Sequence, residues 1–225
     1  MGALAAWAFG GLTQDVIGHD EAARVDPHVL TWVLAHRTGW LTAVTREVTW
    51  TGSTAVLMPV LLTVAVVLIV RRHDWRSSAL LSLALGGAIA LYDLVKTSVG
   101  PVRPPSSVWI GHFTGASFPS GHATQSIAFF GMLVIVVSAG RSARSRGLLW
   151  TGASLVVLVV GASRIYLGGH WMSDVLGGWS LGVAWLSVLL AIHLWTSAQG
   201  RGGRRRPAVE GDAAQAGRSS EESAA

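Results

Sequence analysis

Five long apolar stretches alternate with short polar connections along this chain of 225 residues. Each provides about the 20 mostly apolar residues that an α-helix needs to cross the hydrocarbon core of a bilayer. They lie near Trp50–Val70, Ser78–Thr97, Ala123–Ala139, Leu148–Ile165 and Ser173–Trp195. A sixth stretch, near Ala3–Ile17, is short and is interrupted by Gln14 and Asp15. The pattern predicts an all-α fold, a polytopic membrane bundle of about six transmembrane helices.

Two segments outside these stretches have patterns of their own. Between Val25 and Val48 the apolar residues are spaced as on one face of a helix, which indicates either an amphipathic helix on the outer membrane interface or an ordinary packed loop. From Ala198 onward Gly, Arg, Ser, Ala and Glu dominate without a core-forming pattern. The sequence therefore predicts a membrane-embedded domain at 1–197 and a disordered cytoplasmic tail at 198–225.

The composition supports the membrane class. Only 13% of the residues are charged, whereas a soluble domain carries about 25%. The chain has no cysteine, which excludes disulfides and thiolate metal sites. The net charge of +5 comes almost entirely from arginine, and Lys96 is the only lysine. Since the arginines lie beside apolar stretches, membrane orientation explains them better than nucleic-acid binding.

The arginines also predict which way the helices run. Counted along the chain, with Ala3–Ile17 as the first span, the second, fourth and sixth spans are each followed by a cluster of arginines. These are Arg71, Arg72 and Arg76; Arg141, Arg144 and Arg146; and Arg201, Arg204, Arg205 and Arg206. With six spans these connections share one side of the membrane, and basic connections favour the cytoplasm. The other ends of the helices, with every polar motif described below, are expected on the extracytoplasmic face of the cell membrane.

Three polar blocks occur at those outer ends. They read Lys96-(six residues)-Arg103-Pro104, then Pro119-Ser120-Gly121-His122, then Ser163-Arg164-(five residues)-His170-(three residues)-Asp174. A phosphate group bound beside a bilayer needs fixed positive charge and well-aimed donors, and arginine presents a planar fork that suits phosphate oxygens. Each basic residue alone is better explained as reaching the interface, but Lys96, Arg103 and Arg164 on one face with two histidines favour a phosphate site.

The second block precedes the fourth predicted span. Proline and glycine suit a turn into a helix, and Ser120 is positioned to cap it. The first amides of a helix have no internal partner and bind anions, and Gly121 permits close approach of the backbone to an oxygen. An ordinary capped helix start explains Ser120 and Gly121 but gives His122 no role.

The third block places His170 and Asp174 four residues apart, on one face if the helix begins by His170. A carboxylate that accepts the proton of one ring nitrogen leaves the other nitrogen free to attack. A lone pair of this kind is more often an interfacial hydrogen bond, but Ser163-Arg164 at fixed spacing favours the catalytic interpretation. Metal binding is disfavoured, because the blocks contain one acid, no His-Glu-x-x-His pattern and several arginines that would repel a divalent cation.

Two further polar positions call for interpretation. Asp93 lies in an apolar stretch three residues before Lys96, and an acid there is expected to pair with Lys96 or with an arginine of the blocks. The histidines outside the blocks are interpreted as interfacial or loop residues, and His112 is the strongest candidate exception: His19, His28, His36, His73, His112 and His193.

The three blocks resemble the signature motifs of the type-2 phosphatidic acid phosphatase superfamily, and the chain is similar to its bacterial six-span lipid phosphatase branch from the first span to Trp195. The resemblance implies that His170 is a nucleophile that forms a phosphohistidine, that Asp174 orients it, and that His122 protonates the leaving oxygen and then activates water. It implies phosphate ligands at Lys96, Arg103, Ser120, Gly121 and Arg164, with no metal and no cofactor.

One departure from the family pattern is visible. Many relatives carry an additional arginine where this chain reads Gly100-Pro101-Val102-Arg103-Pro104, which affects an extra head-group contact but not the core chemistry. The implied partner is a lipid phosphate at the membrane, with undecaprenyl or another polyprenyl diphosphate as the first candidate. The alternatives are phosphatidate or phosphatidylglycerol phosphate, a lipid phosphotransferase with another lipid or sugar as acceptor, and a transporter or docking module that uses the blocks only to bind an anion.

Overall fold

The computed structural model describes residues 1–18 and 21–202, and every regular element in these residues is helical. The α-helices are α1 (Gly2–Gly18), α2 (Glu21–Ala35), α3 (Gly39–Thr49), α4 (Thr54–Arg72), α5 (Trp75–Val99), α6 (Gly121–Ser138), α7 (Ala143–Tyr166) and α8 (Met172–Gly202). Short 3-10 turns follow α3 and α5, at Trp50–Gly52 and Ser106–Val108. The predicted all-α fold is confirmed.

Five helices in the described residues are long and apolar enough to cross a membrane: α4, α5, α6, α7 and the Met172–Trp195 part of α8. They coincide with the five predicted stretches, and the protein is a multi-pass membrane protein. The weaker predicted stretch near Ala3–Ile17 forms α1, which at 17 residues is shorter than these five helices. Helix α8 continues to Gly202, while the rest of the predicted tail, 203–225, lies outside the described residues, as do Arg204–Arg206 and His19.

The helix ends follow local sequence signals. Ser53 caps α4 by accepting a hydrogen bond from Val56 N, and Asp74 caps α5 by accepting one from Ser77 N at 3.0 Å. Helix α5 ends at Gly100, whose φ of 58° lies in the left-handed region that glycine adopts without strain. These caps satisfy amides and carbonyls that have no partner inside the helix.

The segment between Val25 and Val48 forms two helices, so the packed-loop alternative is wrong. The turn between α2 and α3 is fastened to the end of α7 by Arg37, whose Nε and Nη2 donate to Tyr166 O at 3.0 and 2.6 Å. Arg37 Nη1 donates to Val108 O at 2.8 Å. One side chain thus ties α2, α7 and the connection between α5 and α6 together.

The spanning helices pack around leucine and phenylalanine side chains, with Leu57, Leu81, Leu85 and Phe129 at the centre of the buried cluster. Helices α6 and α8 pack in close contact because α8 has glycine where the two helices meet. A Cβ atom on Gly178 would lie 2.7 Å from Ser120 O. Small residues allow this close packing between membrane helices. It brings the start of α6 beside the start of α8, where the second and third polar blocks lie.

Candidate functional site

His170 and Asp174 form a buried pair between the end of α7 and the first turn of α8. Their side chains are 3% and 1% exposed. His170 Nδ1 lies 3.2 Å from Asp174 Oδ2, which also accepts a hydrogen bond from Trp171 N at 2.8 Å. Asp174 is the third residue of α8, a position from which an acidic side chain reaches back to the amide that precedes the helix. The Trp171 amide at the start of α8 therefore holds the Asp174 carboxylate toward the His170 imidazole.

Arg103 lies on the other side of the imidazole and uses all of its N–H groups. Nη1 donates to His170 Nε2 at 3.1 Å and to Gly169 O at 2.6 Å. Nε and Nη2 donate to the carbonyl oxygens of residues 114–116, at 2.9 to 3.2 Å. Arginine stays protonated in proteins, so His170 Nε2 accepts and Nδ1–H donates to Asp174. The Arg103 guanidinium thus holds the loop at residues 114–116 in place. It also sets the tautomer of the His170 imidazole.

The surroundings of His170 keep its ring neutral. Burial lowers its pKa well below the ordinary imidazole range, and the positive charges of Arg164, Arg103 and Lys96 lower the pKa further. Burial also lowers the pKa of Arg103. A neutral imidazole with Nδ1–H tied to a carboxylate carries its lone pair on Nε2, which here accepts the hydrogen bond from Arg103.

Lys96, from the last turn of α5, binds the same loop as Arg103. Its Nζ donates to Ala116 O at 2.7 Å. The expected pairing of Lys96 with Asp93 is wrong. Asp93 is exposed on the surface of α5, and it forms no salt bridge with Lys96 or with an arginine of the blocks. Residues three apart lie only about 60° apart around a helix, so the spacing would allow the pair, but Lys96 is instead drawn to the loop carbonyls and Asp93 stays exposed.

Arg164 is buried at the end of α7 and has unused donors. Nη1 donates to Thr49 Oγ1 at 2.9 Å, while Nε has no partner. Its guanidinium carbon lies 5.0 Å from the centre of the Phe113 ring, and that of Arg103 lies 5.8 Å from the same centre. Phe113 therefore lies against both guanidinium groups.

The second block begins α6 next to the third block. Ser120 N donates to Asp174 O at 2.9 Å. Ser120 occupies the position before α6, but the prediction that its side chain caps the helix is wrong, since Oγ is buried and has no partner. The close neighbour of Gly121 is the Tyr92 ring, which a Cβ atom would meet at 3.1 Å. The half-buried His122 side chain makes no hydrogen bond to any other residue that the structure describes.

Two cavities flank this cluster. A cavity of about 440 Å³ is lined by His122, Arg164 and Phe113 and, on its outer wall, by Arg46, Glu47 and His112. A second cavity, of about 530 Å³, is lined by Arg103 and Asp174 together with apolar residues of α1 and α5 and Asp26 of α2. His112 is an exposed loop residue, and it reaches the first cavity.

Four residues that touch the site were not found from the sequence. Thr49 and Phe113 contact Arg164, Arg37 ties the surrounding segments together, and Asp26 hydrogen-bonds to Ser173. None belongs to a polar block. Their common signal is a polar or aromatic residue in a segment without a spanning pattern, which is too general to single them out.

Known proteins resemble this chain in sequence and in fold. The PAP2 superfamily model matches residues 75–198. Phosphatidylglycerophosphatase B of Bacillus subtilis is 29% identical over 149 residues, which cover 65% of this chain and 72% of that protein. The lipid A 1-phosphatase of Rhizobium johnstonii is 32% identical over 111 residues, and the undecaprenyl-diphosphatase of Sulfolobus acidocaldarius is 31% identical over 107. Each of these two matches covers 45% of this chain, and they cover 41% and 48% of the relatives.

Two solved structures share the fold. The crystal structure of a transmembrane PAP2-type phosphatidylglycerolphosphate phosphatase from Bacillus subtilis superposes with a TM-score of 0.80 at 24% identity, over 85% of this chain and 95% of that one. Aquifex aeolicus LpxE superposes with a TM-score of 0.59 at 23% identity, over 74% and 95%. The matched residues contain all three polar blocks, and the chain belongs to the PAP2 superfamily, as the motifs predicted.

Proposed function

We propose that the protein is an integral-membrane lipid phosphatase that hydrolyses a lipid phosphate or diphosphate through a phosphohistidine, without a metal. The observation that carries this proposal is the arrangement around His170. The ring is buried and neutral, Nδ1 is tied to Asp174, and Nε2 faces the Arg103 guanidinium at 3.1 Å. The Nε2 lone pair becomes free to attack phosphorus when the Arg103 N–H that it accepts turns to a phosphate oxygen instead.

The proposed reaction has two steps. His170 Nε2 attacks phosphorus, the bond to the leaving oxygen breaks, and His122 donates a proton to that oxygen. A water molecule, deprotonated by His122, then attacks the phosphohistidine and releases phosphate and neutral His170. Asp174 holds the Nδ1 proton and stabilises the positive charge that the ring acquires.

Unpartnered donors at the site support the phosphate-binding role. Arg164 Nε and Ser120 Oγ are buried without a hydrogen-bond partner, which is uncommon in folded proteins. Phosphate oxygens would satisfy both groups. Together with the charges of Lys96 and Arg103 and the Gly121 amide at the start of α6, they neutralise the phosphate charge that a metal neutralises elsewhere.

The cavity beside His122 supports a substrate whose leaving group carries a second phosphate. His122 is the proposed acid, so the leaving group lies on its side of the site, and Arg46 and His112 line the same cavity. A polyprenyl diphosphate such as undecaprenyl diphosphate is the first candidate. Phosphatidylglycerol phosphate is the second, favoured by the similarity to phosphatidylglycerophosphatase B over 65% of the chain. Phosphatidate has no second phosphate.

A panel of lipid substrates with purified protein in detergent tests the proposal. We expect phosphate release in the presence of a chelator, inhibition by vanadate, and a labelled protein that is stable in base and labile in acid. His170→Ala should abolish release and label, whereas the control His36→Asn, at an exposed histidine in the turn after α2, should retain both. Loss of activity in chelator that added metal restores would refute the metal-independent mechanism, and full turnover by His170→Ala would refute the nucleophile.

The same assay separates hydrolysis from phosphotransfer. With a labelled phosphate donor, a phosphatase releases inorganic phosphate, whereas a transferase places the label on a second lipid or sugar. The buried phosphohistidine pocket is compatible with either acceptor, because the acceptor only has to reach the phosphorus from the His122 side. Product analysis with and without added lipid alcohol therefore decides between the two.

We also propose that the site faces the extracytoplasmic side of the cell membrane. The site lies at the ends of α5 and α7 and the starts of α6 and α8, and the arginine-rich connections Arg71–Arg76 and Arg141–Arg146 lie at the other ends. Because the chain has no cysteine, single cysteines at Ser106 and Ser145 report each side separately. In intact cells an impermeant thiol reagent should label Ser106→Cys and not Ser145→Cys. The opposite labelling would reverse the orientation.

A further inference from the structure

The first turn of α8 receives its cap from a different helix. Asp26 of α2 is 5% exposed, and its carboxylate accepts hydrogen bonds from Ser173 N, at 2.9 Å, and from Ser173 Oγ. The residue before α8 is Trp171, which has no side-chain oxygen for this purpose. A helix that begins without a Ser, Thr, Asp or Asn cap leaves its first amides without partners. Asp26 supplies the missing acceptor from 147 residues away in sequence.

The cap from α2 affects the residue next to it. Asp174 follows Ser173 directly and uses Oδ2 for both Trp171 N and His170 Nδ1. Because Asp26 holds Ser173 N and Ser173 Oγ, the first turn of α8, which carries Asp174, is fixed in position. Without Asp26 both Ser173 groups lose this acceptor, and the start of α8 loses the contact that fixes it beside His170.

We propose that Asp26 is a positioning residue for catalysis: by capping α8 from α2, it holds the Asp174 carboxylate in line with His170. This proposal rests on the proposed function, since it assigns a role toward the same nucleophile. It assigns a catalytic positioning role to a residue of α2. This helix lies outside residues 75–198, the part of the chain that the PAP2 superfamily model matches. Asp26 also lines the cavity that contains Arg103 and Asp174.

The capping role predicts which substitutions are tolerated. Burial raises the pKa of Asp26, as does the nearby Asp174, so a charge at this position is less important than an acceptor. Asparagine retains one oxygen for Ser173 N, and its amide can donate to Ser173 Oγ. Glutamate retains both oxygens but displaces them by one methylene. We therefore expect Asp26→Asn to function better than Asp26→Glu.

Steady-state kinetics of purified variants test the proposal. We expect Asp26→Ala to lower kcat by about 10- to 100-fold, the range for a misplacement of about 1 Å, with KM within twofold of wild type. Asp26→Asn should restore kcat to within about fivefold of wild type, on the basis of the retained cap.

The matched control is Asp74→Ala, which removes the corresponding cap of α5 at the end of that helix far from the site. Loss of a helix cap costs about 1 kcal/mol, so both alanine variants should melt at a lower temperature than wild type, while only Asp26→Ala should lose kcat.

Three outcomes overturn the proposal: an Asp26→Ala variant with kcat within twofold of wild type, an Asp74→Ala variant with the same loss of kcat, or an Asp26→Asn variant no better than Asp26→Glu. If Asp26→Ala does not fold, the comparison of the Asn and Glu variants decides alone. A fully active His170→Ala variant would instead refute the proposed function and leave the capping geometry untouched.

Discussion

The two histidines of the site lie in opposite environments. His170 is 3% exposed, and both ring nitrogens are engaged, by Asp174 and by Arg103. His122 is half-buried, makes no hydrogen bond within the described residues, and borders a cavity of about 440 Å³. A nucleophile benefits from a fixed ring and a fixed tautomer, whereas a group that exchanges protons with a leaving oxygen and with water needs access to both. The contrast explains how one fold gives the same residue type two roles.

The largest effect should distinguish the two histidines by leaving group. We expect His170→Asn to lower kcat/KM by about 10⁴-fold for every substrate, because the nucleophile is lost. His122→Asn should cost about 10²- to 10⁴-fold with a lipid alkoxide leaving group, the usual contribution of a general acid. With p-nitrophenyl phosphate, whose leaving group needs little protonation, the first step should be nearly normal in His122→Asn, and a burst of nitrophenol should precede slow turnover. Stopped-flow absorbance measures the burst, and its absence would contradict the division of roles.

The two arginines extend the comparison. Arg103 donates hydrogen bonds from all its N–H groups to His170 and to backbone carbonyls, whereas Arg164 Nε has no partner. We expect Arg103→Lys to lower both the melting temperature and kcat, because hydrogen bonds from a charged group contribute about 1.5–3 kcal/mol each. Arg164→Lys should raise KM or lower kcat about 10-fold or more with a smaller change in melting temperature, because lysine cannot replace the second N–H toward a phosphate. Differential scanning fluorimetry and kinetics on the same samples check both, and equal melting temperatures would contradict the distinction.

The pH profile should report the buried environment of His170. The ring must be neutral to attack, and burial and the neighbouring cations lower its pKa. It therefore stays neutral as the pH falls through about 6.5, the ordinary imidazole value, and the acid limb of kcat/KM that belongs to His170 should lie below that pH. In Arg103→Gln one of those cations is removed, and the acid limb should move upward toward 6.5. A limb that does not move would show that another group controls it.

The smallest effect concerns the outer wall of the His122 cavity. If the leaving group carries a second phosphate, Arg46→Ala should raise KM for a polyprenyl diphosphate about three- to tenfold, which corresponds to about 1 kcal/mol for an exposed charge. Phosphatidate should be hardly affected, and Glu47→Ala should not raise KM for the diphosphate. An equal change for the diphosphate and for phosphatidate would place the leaving group elsewhere.

The sequence by itself determined the helices, the family and the residues of the three blocks. Spanning helices are readable because a bilayer demands about 20 apolar residues in a row, and the blocks are readable because polar side chains at the ends of such stretches are rare. The spacing of four residues between His170 and Asp174 also predicted their pairing, which the structure has at 3.2 Å, although α8 begins at Met172 and His170 precedes it.

Only the tertiary structure decided how the site is supported. Asp93 lies three residues before Lys96, but Lys96 binds the Ala116 carbonyl while Asp93 stays exposed. Ser120 sits at a capping position, but its backbone bonds to Asp174 O, and its hydroxyl remains unpartnered. The supports of the site are Asp26, Arg37 and Thr49, which reach residues more than 100 positions away. A hydrogen bond between distant segments leaves no periodic pattern in the sequence, because its geometry depends on how the helices pack.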